Sequence, residues 1–284
     1  MGLVPMKDLV LKAQKGRYAV GAFNCNNMEI VQAIVAAAEA ENAPVIIQAS
    51  QGAIKYAGIE YIAALTKLAA SSVKIPVALH LDHGTSFEQC IQCIGNGFTS
   101  VMIDGSKLPL GENIALTKRV IEIARILGVS VEGELGKIGG TEDDVSVSEK
   151  EALFTDPQDA ERFCRETDVD ALAVAIGTAH GQYKGIPKLD FERLKEIVQR
   201  VSTPIVLHGS SGVPDDAVRE AVSFGVAKVN IDTNIREAFT DAARKVVIEN
   251  PKEIDPRKML GPAREAAMQV IREKIRVFGS NGKA

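Results

Sequence analysis

The sequence predicts an α/β protein that folds as a (β/α)₈ TIM barrel with extra C-terminal helices, in a single domain spanning residues 1–284. Eight short apolar runs alternate with helical patterns along the chain, and eight such units favour a closed barrel. The length of 284 residues is usual for one barrel. A doubly wound open sheet is the alternative, but no glycine-rich dinucleotide fingerprint follows the first run, AVGAFNCNN.

The eight predicted strands are β-branched or alanine-rich and almost continuously apolar, as expected of parallel strands that are buried on both faces. They are Ala19–Phe23, Val45–Ala49, Val77–Leu81, Ser100–Ile103, Val129–Gly133, Ala171–Ala175, Ile205–Leu207 and Lys228–Ile231.

Capping residues mark several helix boundaries between these strands. The asparagine pair ending at Asn27 precedes an apolar stripe, Asp156 is followed by a proline, and Asp190 precedes another stripe. Pro214 opens a further helix, which Gly225 ends. Each boundary falls between two predicted strands, so the pattern repeats the βα unit.

Two long segments do not fit the simple βα repeat. Gly136–Asp156 follows the fifth strand, is glycine-rich and then acidic, and favours a mobile active-site loop; a solvated loop without a role is the alternative. Helical stretches at Ile235–Glu249 and Arg257–Val277 follow the eighth strand, with apolar stripes available for a lid or a partner subunit.

Composition excludes several classes of protein. The net charge of −4 gives no general attraction to nucleic acid or to an anionic membrane. There is no apolar run of about 18 residues and no signal-peptide pattern, so we expect a cytoplasmic protein. Cys90 and Cys93 have CxxC spacing, but they lie in an amphipathic helical pattern and are expected to be buried thiols.

A polar residue capable of chemistry follows nearly every predicted strand. These residues are Asn24, Ser50, Asp82, His83, Asp104, Glu134, His180, His208 and Asp232. Active sites of such barrels form at the carboxyl ends of the strands, so these side chains are expected to meet at one mouth. Generic polarity of strand ends would explain one or two of them, but not three of the four histidines.

Three of these residues indicate a metal site. His83, His180 and His208 are distant in sequence but adjacent in the predicted barrel. Three imidazoles with a fourth position open are typical of catalytic zinc. His80 lies within the third strand and is interpreted as a packing residue or as a partner of a ligand.

Carboxylates accompany the histidines. Asp82 is a candidate general acid/base, or else a partner of a metal ligand or a capping residue. Asp104 and Glu134 could orient ligands or hold a second cation. Glu142 lies in the glycine-containing loop, from which a carboxylate can swing over a substrate.

Three segments after late strands predict phosphate binding, because glycines let backbone N–H groups approach an anion. They are residues 180–185, 208–212 and 230–233, in which Lys184, Ser211 and Thr233 add donors.

The motifs resemble the class II, metal-dependent fructose-bisphosphate aldolases, including the tagatose-bisphosphate branch. The similar segments are AVGAFN, LHLDHG, SVMIDGS, EGELGKIGGTEDD, AVAIGTAHGQYKG, LHGSSGVP, KVNIDT and DPRKMLGPAREA, which together span almost the whole chain. The resemblance implies reversible cleavage of fructose 1,6-bisphosphate to dihydroxyacetone phosphate and glyceraldehyde 3-phosphate. Zinc is the implied metal, with a monovalent Na⁺ or K⁺ beside the phosphate and a homodimer or homotetramer as the assembly.

The resemblance also implies residue roles. The three histidines would bind zinc, Asp82 would handle the C4 hydroxyl proton, and Glu142 would move the proton beside the ketone. Asp104 and Glu134 match an alternative metal site and its surroundings. The implied substrate or cation contacts are Asn24, Ser50, Gly181, Lys184, Gly209, Ser211, Asn230, Asp232, Thr233 and Arg257, the last from a neighbouring subunit.

Two residues depart from the family pattern. Ser210 replaces a second glycine in the turn after strand seven, which is expected to alter the phosphate loop, and Gly133 replaces an alanine, without expected consequence. The segment from Asp232 to Arg236 resembles the fructose branch more than the tagatose branch, which stays the alternative.

Other functions remain open alternatives. A Schiff-base aldolase would need a lysine inside the barrel, and Lys228 is expected at the wrong end of its strand. A metallohydrolase barrel usually has an HxH pattern in strand one, which AVGAF lacks. A non-catalytic sugar-phosphate-binding protein would not need Asp82, Glu142 and the three histidines together.

Overall fold

The structure is a computed structural model, in which residues 2–142, 145–147, 153–181, 183 and 185–284 are described. For residues 141, 142 and 145–147 only the backbone is described. The strands in these ranges are β1 Val20–Asn24, β2 Val45–Ala49, β3 Val77–Gly84, β4 Ser100–Ile103, β5 Ser130–Leu135, β6 Gly139–Glu142, β7 Val145–Val147, β8 Ala171–Val174, β9 Ala179–His180, β10 Ile205–Leu207 and β11 Val226–Ile231. The helices are α1 Met6–Gly16, α2 Met28–Ala40, α3 Gln51–Ala57, α4 Ile59–Ser71, α5 Phe87–Gly95, α6 Leu110–Ile126, α7 Pro157–Thr167, α8 Phe191–Arg200, α9 Asp215–Phe224, α10 Thr233–Glu249 and α11 Pro256–Val277.

Eight parallel strands close into a barrel, in the order β1-β11-β10-β8-β5-β4-β3-β2. The predicted (β/α)₈ architecture is therefore confirmed, and the open sheet is not. The eight predicted strands are these eight: β2, β4 and β10 have the predicted bounds, and the other five differ at one or both ends. In particular β3 continues to Gly84 and β5 to Leu135, so Asp82, His83 and Glu134 lie inside strands rather than after them.

The helix boundaries follow the local chemistry of the sequence. The side chain of Asn27 accepts a hydrogen bond from the Ile30 amide and caps α2. Asp156 caps α7 ahead of a proline, and Asp190 caps α8. Each cap satisfies amide groups that a helix start leaves unpaired, a stabilisation of about 1 kcal/mol.

The segment after β5 differs from the expected loop. In its described part, β6 and β7 pair as an antiparallel hairpin, and β6 also pairs in parallel with β9. Gly140 lies opposite His180 in this small sheet. The local sequence reads as a loop because the pairing partner of β6 is some 40 residues further along the chain.

The N-terminal helix α1 closes the amino-terminal end of the barrel. Its apolar face, made of Met6, Leu9, Val10 and Ala13, packs against inward-facing strand residues. The Lys7 ammonium also lies 2.7 Å from the Asp170 carboxylate just before β8. With this end closed, the opposite mouth is the open end of the barrel.

The C-terminal helices complete the outer layer. α11 packs against α10 and against α2. Glu41, at the end of α2, receives hydrogen bonds of 2.8–2.9 Å from Arg272 and Arg276 of α11. None of the helices in the described part of the chain combines the length and apolar character that a membrane crossing requires.

Candidate active site

The three predicted histidines meet at the carboxyl ends of the strands. His83 comes from β3, His180 from β9, and His208 directly follows β10. Each offers a ring nitrogen, and these three nitrogens all lie within 4.8 Å of one another. Two of the rings approach each other closely: His208 Nδ1 lies 2.9 Å from His83 Nε2.

These separations suit one shared ion. Zinc binds imidazole nitrogens at about 2.0–2.1 Å, so two ligands of a tetrahedral ion stand roughly 3.4 Å apart. A ligand must also be neutral. Burial, with repulsion from His83, lowers the pKa of His180 to about 3. Burial also holds the pKa of His208 well below its ordinary value, so both rings are neutral around pH 7.

The backbone of β3 explains how two consecutive side chains reach the same pocket. The register against β4 shifts between Leu81 and Gly84, and His83 has a φ of 49°. Left-handed backbone costs a non-glycine residue about 1–2 kcal/mol. The irregularity turns the side chain of His83 towards the pocket that Asp82 also faces. Both side chains can therefore contribute to one site, as the sequence predicts.

Amide groups hold the carboxylate of Asp82. Its Oδ2 accepts hydrogen bonds from Asn24 Nδ2 at 2.8 Å and from Gln48 Nε2 at 2.9 Å. Its Oδ1 accepts from Asn230 Nδ2 at 3.2 Å. Burial raises the pKa of Asp82, but interactions with His83 and other neighbours outweigh burial, so the pKa is lowered. The group is an ionised carboxylate that can act as a base.

A second set of possible ligands adjoins the first. Asp104 Oδ2 lies 3.2 Å from His83 Nδ1, and Glu134 Oε2 lies 3.9 Å from the same nitrogen. Burial and the nearby Asp104 raise the pKa of Glu134 well above its ordinary value. Glu134 Oε2 is buried, and no described residue donates a hydrogen bond to it. A cation here would offset both the burial and the carboxylate repulsion.

Several predicted substrate contacts surround the same mouth. Ser50 caps α3 directly after β2. Ser211 Oγ accepts hydrogen bonds from the amides of Asp232, at 3.2 Å, and Asn234, at 3.5 Å. Gly181 and Gly209 have φ values of 82° and 61°. These loops follow β9, β10 and β11, as expected of a phosphate site.

Asp232 and Thr233 directly follow β11, at the same end of the barrel, and Arg257 lies near the start of α11. Thr233 begins α10, and Asp232 pairs with Arg236 at 2.7 Å. Arg257 is the second residue of α11; its side chain is 90% exposed and donates hydrogen bonds to Asp255. Its predicted role needs a second subunit and stays a prediction.

The side chains of two predicted residues, Lys184 and Glu142, are not described. Lys184 lies outside the described residues. The backbone of Glu142 ends β6, beside the strand that carries His180, but its side chain is not described. Their assigned roles stay predictions.

Sequence reasoning missed polar residues inside the strands. Gln48, Glu132 and Lys228 are fully buried, and Glu132 Oε1 accepts a hydrogen bond from His208 Nε2 at 2.8 Å. The signal was spacing: Glu132 lies two residues before Glu134, and Lys228 two before Asn230. Residues i and i+2 face the same side of a strand.

Two expectations need correction. Lys228 does not begin its strand, since β11 starts at Val226, and its Nζ lies inside the barrel 2.9 Å from Glu132 Oε2. Gly133 is not without consequence: a Cβ there would lie 2.8 Å from the Phe163 ring. The glycine makes room for Phe163, which is fully buried.

Other expectations are confirmed. Cys90 and Cys93 are buried, and burial raises the pKa of each thiol to about 12, so neither is a ready nucleophile. His80 is fully buried, as expected of a packing residue, and its Nδ1 lies 2.8 Å from Ser100 Oγ. Ser210 is buried, and its hydroxyl donates to the Leu207 carbonyl at 3.4 Å; its expected effect on the phosphate loop stays a prediction.

Comparison with known proteins shows the family of the chain. Residues 4–283 match the family model described as fructose-bisphosphate aldolase class-II. The chain belongs to the class II fructose-bisphosphate aldolase family. Fructose-bisphosphate aldolases of Geobacillus stearothermophilus and Thermus caldophilus are each 46% identical to it, with at least 99% of both chains covered.

Solved structures of the family have the same fold. The YdjI aldolase of Escherichia coli K12 matches with a TM-score of 0.86 and 34% identity, covering 99% of each chain. The fructose-bisphosphate aldolase of Campylobacter jejuni matches with a TM-score of 0.84 and 26% identity, covering 100% of this chain and 97% of that one. The likeness therefore extends over the whole barrel and its C-terminal helices.

Proposed function

We propose that this protein is a metal-dependent aldehyde-lyase that reversibly cleaves fructose 1,6-bisphosphate to dihydroxyacetone phosphate and glyceraldehyde 3-phosphate. One observation carries the proposal: three imidazoles, of which His180 and His208 are neutral, converge beside an ionised carboxylate. Asn230 Nδ2 joins the two, since it lies 3.2 Å from Asp82 Oδ1 and 3.3 Å from His208 Nδ1. The curated relatives named for this activity, at 46% identity, support fructose over tagatose bisphosphate.

Zinc is the proposed metal, held by His83, His180 and His208. Bound there, it would act as a Lewis acid that polarises the ketone of the substrate. Asp104 and Glu134 could hold a second cation. We also propose a monovalent cation beside the phosphate loops, a homodimer or homotetramer, and a cytoplasmic location.

Two different residues carry out the two proton transfers of the reaction. Asp82 accepts the proton of the C4 hydroxyl as the C3–C4 bond breaks, because its carboxylate is ionised and held by three amides. Glu142 moves the proton at the carbon beside the ketone, from a strand that pairs with the strand carrying His180. The backbone amides after β9 and β10 receive one phosphate.

A coupled assay tests the proposal. Cleavage of fructose and of tagatose bisphosphate is measured before and after chelation, and again after Zn²⁺ is added back. We expect faster cleavage of the fructose substrate, loss of activity with the chelator, and recovery with zinc. Chelator-resistant activity that borohydride abolishes in the presence of substrate would instead indicate a Schiff base, for which Lys228 is the lysine inside the barrel.

A further inference from the structure

A charged pair lies in the barrel interior beneath the histidines. Glu132 and Lys228 are completely buried, with Lys228 Nζ 2.9 Å from Glu132 Oε2. Removing two charges from water is unfavourable, and well-packed apolar residues often stabilise a fold as well as a buried ion pair or better. Stability alone is therefore a poor reason for such a pair among the apolar residues that line this barrel.

The pair makes one contact with the metal-binding residues. Glu132 Oε1 lies 2.8 Å from His208 Nε2. An ionised carboxylate only accepts hydrogen bonds, and an ammonium only donates them. Lys228 Nζ forms an ion pair with Glu132 Oε2. The other carboxylate oxygen, Oε1, accepts a hydrogen bond from His208, whose Nε2 must carry the ring proton.

The opposite nitrogen of the same ring is the one that faces the metal site. In a neutral imidazole only one nitrogen is protonated, so a proton on Nε2 leaves a lone pair on Nδ1. His208 Nδ1 is the atom 2.9 Å from His83 Nε2. Asn230 Nδ2 is a donor that lies 3.3 Å from both ring nitrogens of His208. Because it is equally close to the two nitrogens, it does not determine which of them carries the proton.

We propose that Glu132, with Lys228 as its charge partner, is a positioning residue that fixes the tautomer and orientation of His208 for metal binding through Nδ1. The inference rests on the proposed metal site, and Glu132 acts through His208 rather than on the substrate. Its other neighbour, His80, has Nε2 3.7 Å from Glu132 Oε2 and is hydrogen-bonded to Ser100 through Nδ1. Lys228 is thus the cation that compensates the carboxylate.

Nuclear magnetic resonance of the metal-free wild-type protein tests the tautomer directly. The chain has four histidines, so ring ¹⁵N signals can be assigned by comparison with His208→Gln. We expect the His208 proton on Nε2. A proton on Nδ1 would overturn the inference, and this measurement requires no Glu132 variant to fold.

Two variants and a control then test the metal readout. Zinc affinity, measured by chelator competition, is expected to fall about 10–100-fold in Glu132→Gln. Exposed Glu122→Gln, the same change on the outer helix α6, should leave it unchanged. The double variant Glu132→Leu/Lys228→Met removes both charges; it should recover thermal stability relative to Glu132→Gln but keep the weak zinc affinity.

The outcomes separate this inference from the proposed function. Recovery of wild-type zinc affinity in the double variant would show that the pair only balances charge, and would refute a positioning role. Unchanged affinity in Glu132→Gln would refute it as well. A wild-type protein that binds no zinc would instead refute the proposed metal site, on which the inference rests.

Discussion

Gly140→Ala is the substitution for which the structure gives the clearest expectation. Gly140 lies in β6 opposite His180 of β9, with a φ of 97°. An added Cβ would lie 2.1 Å from the His180 carbonyl oxygen and 2.7 Å from its amide nitrogen. Both are backbone atoms, so no change of rotamer can relieve the contact.

The size of the effect follows from the distance. A carbon–oxygen contact needs about 3.3 Å, so the two strands must separate by roughly 1.2 Å. Displacing a catalytic group by about 1 Å can cost on the order of 100-fold in rate. We expect kcat/KM for fructose 1,6-bisphosphate to fall about 100-fold, or about 2.7 kcal/mol, with faster loss of zinc to a chelator.

Gly128→Ala is the matched control. Gly128 also has a positive φ, 68°, but no atom lies within 4 Å of the position of its added Cβ. This variant should lose stability through backbone strain while keeping the kinetics of the wild type. Wild-type kcat/KM and zinc retention in Gly140→Ala would refute the idea that the β6–β9 contact positions His180.

Three further predictions follow from contacts described above. Asp82→Ala should lower kcat by about 10²–10⁴-fold while equilibrium dialysis still detects bound zinc, and near-normal turnover would remove Asp82 from the scheme. Gly133→Ala should lower the free energy of unfolding in urea by about 1–3 kcal/mol through crowding of Phe163, and an unchanged midpoint would contradict this. Hydrogen bonding from Arg276 lowers the pKa of Glu41 below 4.5, so this carboxylate stabilises the fold above that pH and less as the pH falls through its folded pKa. Glu41→Gln should therefore cost about 1–2 kcal/mol at pH 7, and the cost should vanish in acid; a pH-independent difference in Tm would contradict it.

The sequence predicted the barrel because its strands are local and repetitive. Each apolar run is short, and each is separated from the next by a helical pattern. The sequence predicts ends of β3 and β5 that are too early, because polar residues such as Asp82 and Glu134 are typical of positions after a strand, whereas both lie within these two strands. In the sequence, a polar residue that follows a strand has the same pattern of neighbours as a polar residue that lies in the last part of a strand and faces the barrel mouth.

The sequence predicts the histidine triad, but it does not predict the residues and strands that contact these histidines. The three histidines stand at the ends of strands, where the fold itself brings them together. The contacts of Glu132 with His208 and Lys228 join three different strands of the closed barrel or the loops after them. The β6–β9 pairing is equally non-local. Such contacts depend on which strands become neighbours, which no single segment specifies.

The N-terminal helix has a bearing on the chemistry at the far end of the barrel. The sulfur of Met6 receives the Ser100 hydroxyl at 3.4 Å, and Ser100 in turn contacts His80 in the barrel interior. The apolar face of α1 therefore keeps water away from the layer that contains Glu132 and Lys228. In a protein that lacks its first sixteen residues, water would enter the barrel from its amino-terminal end. Hydration of Glu132 and Lys228 would then weaken the interaction of Glu132 with His208, without altering any residue of the pocket.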